Sequence, residues 1–312
     1  MVSPDRFTTP ILLILFNRPD LAKLVLSKLQ AVKPLVLYVA IDGPREGHAT
    51  DTTQVAQCVA LLDLIDWPCT IHRLIRDNNL GCKQSVSSAI DWFFDEVEEG
   101  IILEDDCLPD LTFFSFCADL LTRYRHDVRV MHIGGANLAA GNWWGSDSYL
   151  FTKVCHIWGW ASWRRAWQHY DLAMTNYPMH RSTLLNEQVS NKKSRRYWQQ
   201  VFDDAYANRV DTWDYQWVYS IWLANGLCVL PAVNMVTNIG FGREATHTKI
   251  VTEFAELTAG SLRELHHPTE VIHNEVATDW LFQTLYTLPS TLTTWINKVK
   301  RRVSSLKKTV TA

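Results

Sequence analysis

The chain has 312 residues, of which 47% are hydrophobic and 20% charged, with a formal charge of −3. That length holds one large α/β domain or two small ones, and the composition is that of a globular protein rather than a disordered or fibrous one. The slightly acidic balance argues against a nucleic-acid partner, which calls for a basic excess.

From the N-terminus, "ILLILF" reads as a buried strand that "NRPD" ends at once. It is too short for a signal-peptide core or a membrane span, so a cytosolic chain is expected. "LAKLVLSKLQAV" follows with helical spacing at Leu21, Leu24, Val25 and Leu29. "LVLYVAIDGPR" is a second apolar strand that ends in an Asp42-Gly43-Pro44 turn, and "TIHRLIRDN" is a third, shorter one. "SVSSAIDWFFDEV" is helical, with Val86, Ile90, Phe93 and Val97 on one face. "GIIL" is then a strand that runs directly into Glu104, Asp105 and Asp106.

Strands alternating with helices predict βαβ units and a mostly parallel sheet flanked by helices, whose ligands bind beyond the carboxyl ends of the strands. Asn17 and Arg18, Asp42 and Gly43, and Glu104 to Asp106 all fall at that edge. Any one polar cluster there is explained by loop exposure alone. Three from separate segments favour a site.

The character changes near Gly134. Tryptophan is over-represented, with 14 residues, and Trp143, Trp144, Trp158, Trp160 and Trp163 crowd one aperiodic stretch. Such rings are either core or stacking platforms for the C–H face of a sugar; Trp158, Trp160 and Trp163 are the platform candidates. "RSTLLNEQVSNKKSRRYWQQVF" reads as an exposed helical excursion. The tail places Trp295, Ile296, Val299, Val303 and Leu306 at helical spacing among six Lys and Arg residues. It is either a basic amphipathic helix against an anionic membrane surface or a docked terminal helix with a solvated face. The seven cysteines are scattered without C-x-x-C spacing, so neither a disulfide framework nor a zinc site is indicated. Reduced thiols are expected.

Adjacent carboxylates repel, and a cation or heavy solvation must compensate. In an extended strand Glu104 and Asp106 share one face and Asp105 takes the other. Hard cations such as Mg²⁺ or Mn²⁺ take oxygen ligands and keep substrate phosphates in their shell, so one or two carboxylates suffice. Asp110, before "LTFFSFCADLL", is read as a helix cap instead.

Five pieces in order carry a family resemblance: "LILFNRPDLAKLVLSKL", "VAIDG", "EDDCLPDLTFF", "WDYQW" and "TNIGFGREATHT". Together they resemble the GT-A nucleotide-sugar glycosyltransferases, especially the N-acetylglucosaminyltransferase I family and related bacterial sequences. The resemblance implies a GT-A fold: a nucleotide-sugar-binding half over residues 1–133, an acceptor and catalytic-base half over 134–255, and a helical region with the basic tail over 256–312. It implies that Asn17 and Arg18 lie at the nucleotide, that Asp42 bonds the uracil, and that Glu104 and Asp105 hold the ribose or sugar. Asp106 would ligate Mn²⁺ or Mg²⁺, with His247 as a further candidate, and Arg243 would sit on a loop closing over the diphosphate. Asp214 would be the base that takes the acceptor's proton. The family's base segment has two adjacent acids whereas Tyr215 follows Asp214 here, so Asp211 stays a second candidate.

The expected reaction is metal-dependent, inverting transfer from a UDP-sugar to a hydroxyl of a glycan or lipid-linked glycan, as in bacterial surface polysaccharide synthesis. Two rivals are a non-catalytic glycan-binding module on the same fold and a sugar-nucleotide pyrophosphorylase. The latter needs a glycine-rich, basic phosphate loop after the first strand, which "FNRPDLAK" does not supply.

Overall fold

The computed structural model describes residues 7–139, 141–241 and 257–287. Of the first four strands, the first, second and fourth form around uninterrupted apolar runs, because strands buried on both faces need no polar alternation, whereas the third, "TIHRLI", lies at the sheet edge and is partly exposed along its length. The four are β1 (Ile11–Leu15), β2 (Val36–Ile41), β3 (Thr70–Ile75) and β4 (Glu99–Glu104). Next come β5 (Cys107–Pro109), β6 (Val130–Gly134), β7 (Tyr149–Thr152), β8 (Trp160–Trp163), β9 (Leu227–Pro231) and β10 (Val236–Asn238).

Eight of these make one sheet in the order β3-β2-β1-β4-β8-β6-β9-β7, while β10 and β5 pair as a separate ribbon. β3, β2, β1 and β4 are mutually parallel; β8 is antiparallel to β4 and β6, β9 is parallel to β6, and β7 is antiparallel to β9. Six strands therefore run one way. This is the expected α/β architecture: a mostly parallel central sheet flanked by helices.

The early crossovers are α1 (Pro19–Val32), α2 (Asp51–Ala60), α3 (Gly81–Glu96) and α4 (Leu111–Tyr124). The later helices are α5 (Arg164–Trp167), α6 (Tyr177–His180), α7 (Thr183–Gln188), α8 (Lys192–Tyr206), α9 (Asp214–Leu223) and α10 (Glu275–Leu285). Pro19 opens α1, where its missing N–H costs nothing. Asp110 caps α4, accepting from the Thr112 N–H at 2.9 Å, as its position before an apolar run suggests. The buried stripe of α1 is Ala22, Val25, Leu26 and Leu29. Leu24, expected on that face, is 48% exposed. The stripe that meets the sheet is turned because Ala22 permits close approach.

β1 divides the interior in two. Leu12 and Ile14 point into one core with Tyr38, Ala40, Ile90, Phe93 and Ile102. Ile11, Leu13 and Leu15 point into the other with Leu37, Val39, Ile41, Phe113 and Leu120. This is the period-two alternation of a strand with both faces covered.

The expected exposed excursion near residue 190 is helical but not free-standing. Ser194, Trp198, Phe202 and Ala205 of α8 are buried against α9 and α10, since four apolar or small residues at helical spacing make a packing stripe despite the basic surface.

The tryptophan-rich stretch is mainly core, which corrects the platform reading for two of its three candidates. Trp160 and Trp163 are each 1% exposed. Trp160 stacks on Trp213 at 5.7 Å and on His132 at 5.1 Å between ring centroids, and Trp217 lies 6.0 Å away. Trp163 donates its indole N–H to the Leu121 carbonyl at 3.1 Å. Neither ring has a face to offer a sugar. Trp158 is half-buried and meets Phe241 edge-on at 5.6 Å, so it alone remains a platform candidate.

The cluster around Trp160 has a consequence for α9. Trp213 and Trp217, both fully buried, pack the start of that helix against Trp160 of β8, one on either side of Asp214 in sequence. At the far end, Lys153 donates to the Asn225 and Gly226 carbonyls, each at 3.1 Å, satisfying groups that a helix C-terminus leaves open.

The seven cysteines are free thiols. Among the described residues no helix is long and apolar enough to cross a membrane. The basic tail lies outside the described residues.

Candidate active site

The expected convergence is present at the carboxyl edge of the parallel strands. β1 ends at Leu15 and delivers Asn17 and Arg18; β4 ends at Glu104. The strict alternation expected for Glu104, Asp105 and Asp106 does not hold, because the chain turns at Asp105 and Asp106. Both therefore face Arg18. Its guanidinium donates through Nε to Asp105 Oδ2 at 3.2 Å, through a terminal nitrogen to Asp105 Oδ1, and through the other to Asp106 Oδ2 at 2.9 Å. A planar fork of donors is what two neighbouring carboxylates need, and lysine could not supply it.

Burial and charge explain the titration of the group. Burial disfavours the Arg18 charge, but Asp105 and Asp106 outweigh it and raise the guanidinium further. Burial pushes Asp105 up to about 6 against the pull of Arg18. Asp105 is only 3% exposed and has both oxygens on Arg18, so its place is that of an anchor for Arg18, not of a sugar ligand. Glu104 has no hydrogen bond or ion pair among the described residues. Burial, then Asp106 and Asp105, push it up to about 8, and Asp214 adds to the shift.

That value has a sign with a testable outcome. Between an ordinary value near 4.5 and about 8, the folded chain holds a proton on Glu104 that the unfolded chain has released. Stability contributed by this group is complete below the lower value and is lost as pH rises through the upper one. In metal-free protein, Glu104→Gln should melt with wild type at about pH 5 and several degrees above it at about pH 9. Equal melting of both proteins at the higher pH would show that Glu104 is not held in a strained, charged state.

Asn17 turns away from the acidic trio, donating to Asp51 Oδ1 at 2.9 Å. Asp51 is fully buried at the start of α2 and is ion-paired with Arg45 at 2.7 Å; the Arg45 bond, then Asn17, hold its carboxyl well below the usual range despite burial. Sequence reasoning singled out Asn17 but missed its partners, Asp51 opening α2 and Arg45 in the loop before it.

Asp42 is 5% exposed and spends both oxygens on protein donors. It accepts from the N–H of Gly43 at 3.0 Å, from that of Leu80 at 3.1 Å and from Asn79 Nδ2 at 2.8 Å. Its observed work is pinning the loop after β3, which crosses so close that a Cβ on Gly43 would lie 2.4 Å from the Asn78 backbone. These contacts leave a poor acceptor for a uracil.

Asp214 opens α9 and accepts from the Thr212 hydroxyl. It sits in the first turn, where a negative charge is favoured by the helix dipole. Its field reaches the acidic edge: it raises both Glu104 and the Cys82 thiol, the latter mainly raised by burial. Asp211, the second candidate base, is spent on backbone N–H groups of Cys82 and Lys83 at 3.0 and 2.9 Å.

The first residues of "TNIGFGREATHT" lie directly on the acidic turn. β10 pairs with β5, joining Asn238 to Cys107, and the Ile239 N–H donates to the Asp106 carbonyl at 2.8 Å. Gly240 packs so tightly that a Cβ would fall 2.2 Å from Asp106 Oδ2. Arg243 and His247 lie outside the described residues.

Among the described residues no group of three or more His, Cys, Asp or Glu is set to hold a metal ion. The donor set still fits a hard cation that takes few protein ligands. Asp106 and Glu104 offer oxygen only, and Glu104 is an ionisable carboxyl without a partner of its own.

No protein-family model and no curated protein matches the chain. Among solved structures the chain is similar to a mannosyltransferase, PcManGT from Pyrobaculum calidifontis in complex with GDP-Man and Mn²⁺. Identity is 13%, coverage is 72% of this chain and 74% of that one, and the TM-score is 0.38. So slight a likeness bears on neither the reaction nor the substrate.

Proposed function

We propose that this chain is a metal-dependent glycosyltransferase that moves a sugar from a UDP-sugar to a hydroxyl of a glycan or lipid-linked glycan, with inversion. The observation that carries the reading is the meeting of three segments at one edge: Arg18 after β1, Glu104 to Asp106 after β4, and Asp214 at the start of α9, within electrostatic reach of Glu104. The pieces of sequence that resemble GT-A enzymes supply the same three segments.

In this reading Asp106 and Glu104 would hold the divalent cation, while Asp105 keeps Arg18 in place. A bound cation would neutralise the diphosphate as it leaves. Arg18, released in part from Asp106, would turn one terminal nitrogen to a phosphate oxygen. Asp214, aided by Thr212, would accept the acceptor's proton as its oxygen attacks the anomeric carbon from the face opposite the leaving group. One in-line displacement of that kind inverts the configuration. Trp158, half-buried beside Phe241, would offer its open face to a sugar, and Arg243 and His247, outside the described residues, would act on the diphosphate and the metal. The basic tail would bring the protein to the inner face of a membrane that carries the acceptor.

A melting panel with UDP, GDP, dTDP and CMP, each with and without Mn²⁺, tests the reading, because a ligand that binds only the folded state stabilises it by mass action. A UDP-specific rise that needs Mn²⁺ is expected. A rise with a different nucleotide would keep the enzyme and change its donor. No rise with any nucleotide would favour the glycan-binding module.

A further inference from the structure

Helix α3 begins without a cap of its own. Leu80 precedes it, and no side chain near in sequence accepts from its first N–H groups. The cap comes instead from Asp211, 129 residues beyond Cys82, which takes the Cys82 and Lys83 N–H groups at 3.0 and 2.9 Å. Lys83 returns the contact, its ammonium donating to Asn208 Oδ1 at 2.6 Å. Gly81 sits inside this joint at a φ of +80°, and a Cβ there would lie 2.9 Å from Asp211 Oδ2. On the other side Asp42 grips Asn79 and Leu80. Residues 79–83 are thus held from the end of β2 and from the segment that precedes α9.

We propose that Asp211 is a positioning residue, whose capping of α3 fixes the Asp211–Asp214 segment, and so the carboxylate of Asp214, against the acidic edge of β4. The proposal rests on the reading of Asp214 as the base. A carboxylate is the right group for the task, since a helix N-terminus offers unpaired N–H groups and favours negative charge. The joint spans the two parts of the site: only Thr212 and Trp213 separate Asp211 from Asp214, while residues 79–83 are tied to the donor edge through Asp42. Freed of the cap, the segment can shift on its tryptophan anchors, and misplacement of a reacting group by about 1 Å costs on the order of 10²-fold in rate.

The test compares wild type with Asp211→Ala, Asp211→Asn, Gly81→Ala and the Asp211→Ala/Gly81→Ala pair. Amide hydrogen exchange is followed over residues 79–83 and 211–217, Mn²⁺–UDP binding by melting, and UDP release from UDP-glucose, UDP-galactose and UDP-N-acetylglucosamine by kinetics. Asp211→Ala and Gly81→Ala should each speed exchange in both segments and lower kcat about 10- to 100-fold with donor KM nearly unchanged. The pair should be no worse than its worse member, because both changes break one joint. Asp211→Asn, which keeps one acceptor oxygen, should recover part of the rate. Faster exchange confined to 79–83 with kcat intact would reduce Asp211 to a local cap and overturn the proposal. No UDP release by wild type would reject the base reading itself, while exchange over 211–217 would still decide whether Asp211 joins the segments.

Discussion

Asp214→Asn is expected to reduce glycosyl transfer by about 10²- to 10⁴-fold, the range a positioned general base supplies, while Mn²⁺–UDP binding and melting temperature stay close to wild type. The substitution is nearly isosteric, and an amide oxygen can still accept from the Thr212 hydroxyl, so the start of α9 keeps its contact. What disappears is the ability to take a proton. Because Asp211 is engaged by the first turn of α3, it cannot stand in. The falling limb of the rate at low pH should vanish with the carboxylate, leaving a flat residual rate. Full transfer by Asp214→Asn would remove it from the mechanism.

The second large effect is on stability. Arg18→Met strips from Asp105, whose side chain is 4% exposed, its only ion-pair partner among the described residues. Removing one member of a buried pair costs roughly 3–5 kcal/mol because the other charge is left without compensation. Here the carboxyl has an escape, since it already titrates at about 6 and would rise further without the guanidinium. Protonation relieves the strain at low pH and cannot do so at high pH. Melting of Arg18→Met should therefore fall far below wild type at about pH 8 and much less at about pH 5. Arg18→Lys should recover part of the loss only, because an ammonium cannot span Asp105 and Asp106 as a fork does. Equal losses at both pH values would mean that Arg18 works through packing.

Much of the sheet was legible because it is buried on both faces. "ILLIL", "VLYVAI" and the apolar stretch before Glu104 are continuous runs bounded by turn residues, and such runs announce central parallel strands. Their polar ends mark the edge where Arg18 and the acidic trio meet. The details that failed all depend on partners distant in sequence. Leu24 shares the helical spacing of Val25, yet the sheet selects the face with Ala22 and Leu26. Trp160 and Trp163 are aromatic in an aperiodic stretch, and only the packing of α9 and α4 against β8 shows that they are interior. The face assigned to Asp105 assumed an extended strand, whereas the chain turns there. Asp42 and Asp211 looked like ligand and base because a carboxylate's donors cannot be read locally. Each is engaged by donors that the fold brings in: Asp42 by the Gly43 and Leu80 N–H groups and the Asn79 amide, Asp211 by the Cys82 and Lys83 N–H groups. Asp51 and Arg45, which join Asn17 in its cluster, had no local signal at all.

In the proposed function the acidic edge of β4 binds a divalent cation together with a nucleotide diphosphate. The most direct measurement is Mn²⁺ binding followed by the loss of the free-ion electron paramagnetic resonance signal, with and without UDP, in wild type and in Asp106→Asn. The expected result is about one ion per chain, bound much more tightly with UDP present, and affinity at least about tenfold weaker in Asp106→Asn. Mn²⁺ binding that ignores both UDP and Asp106 would rule out a cation site at the acidic edge.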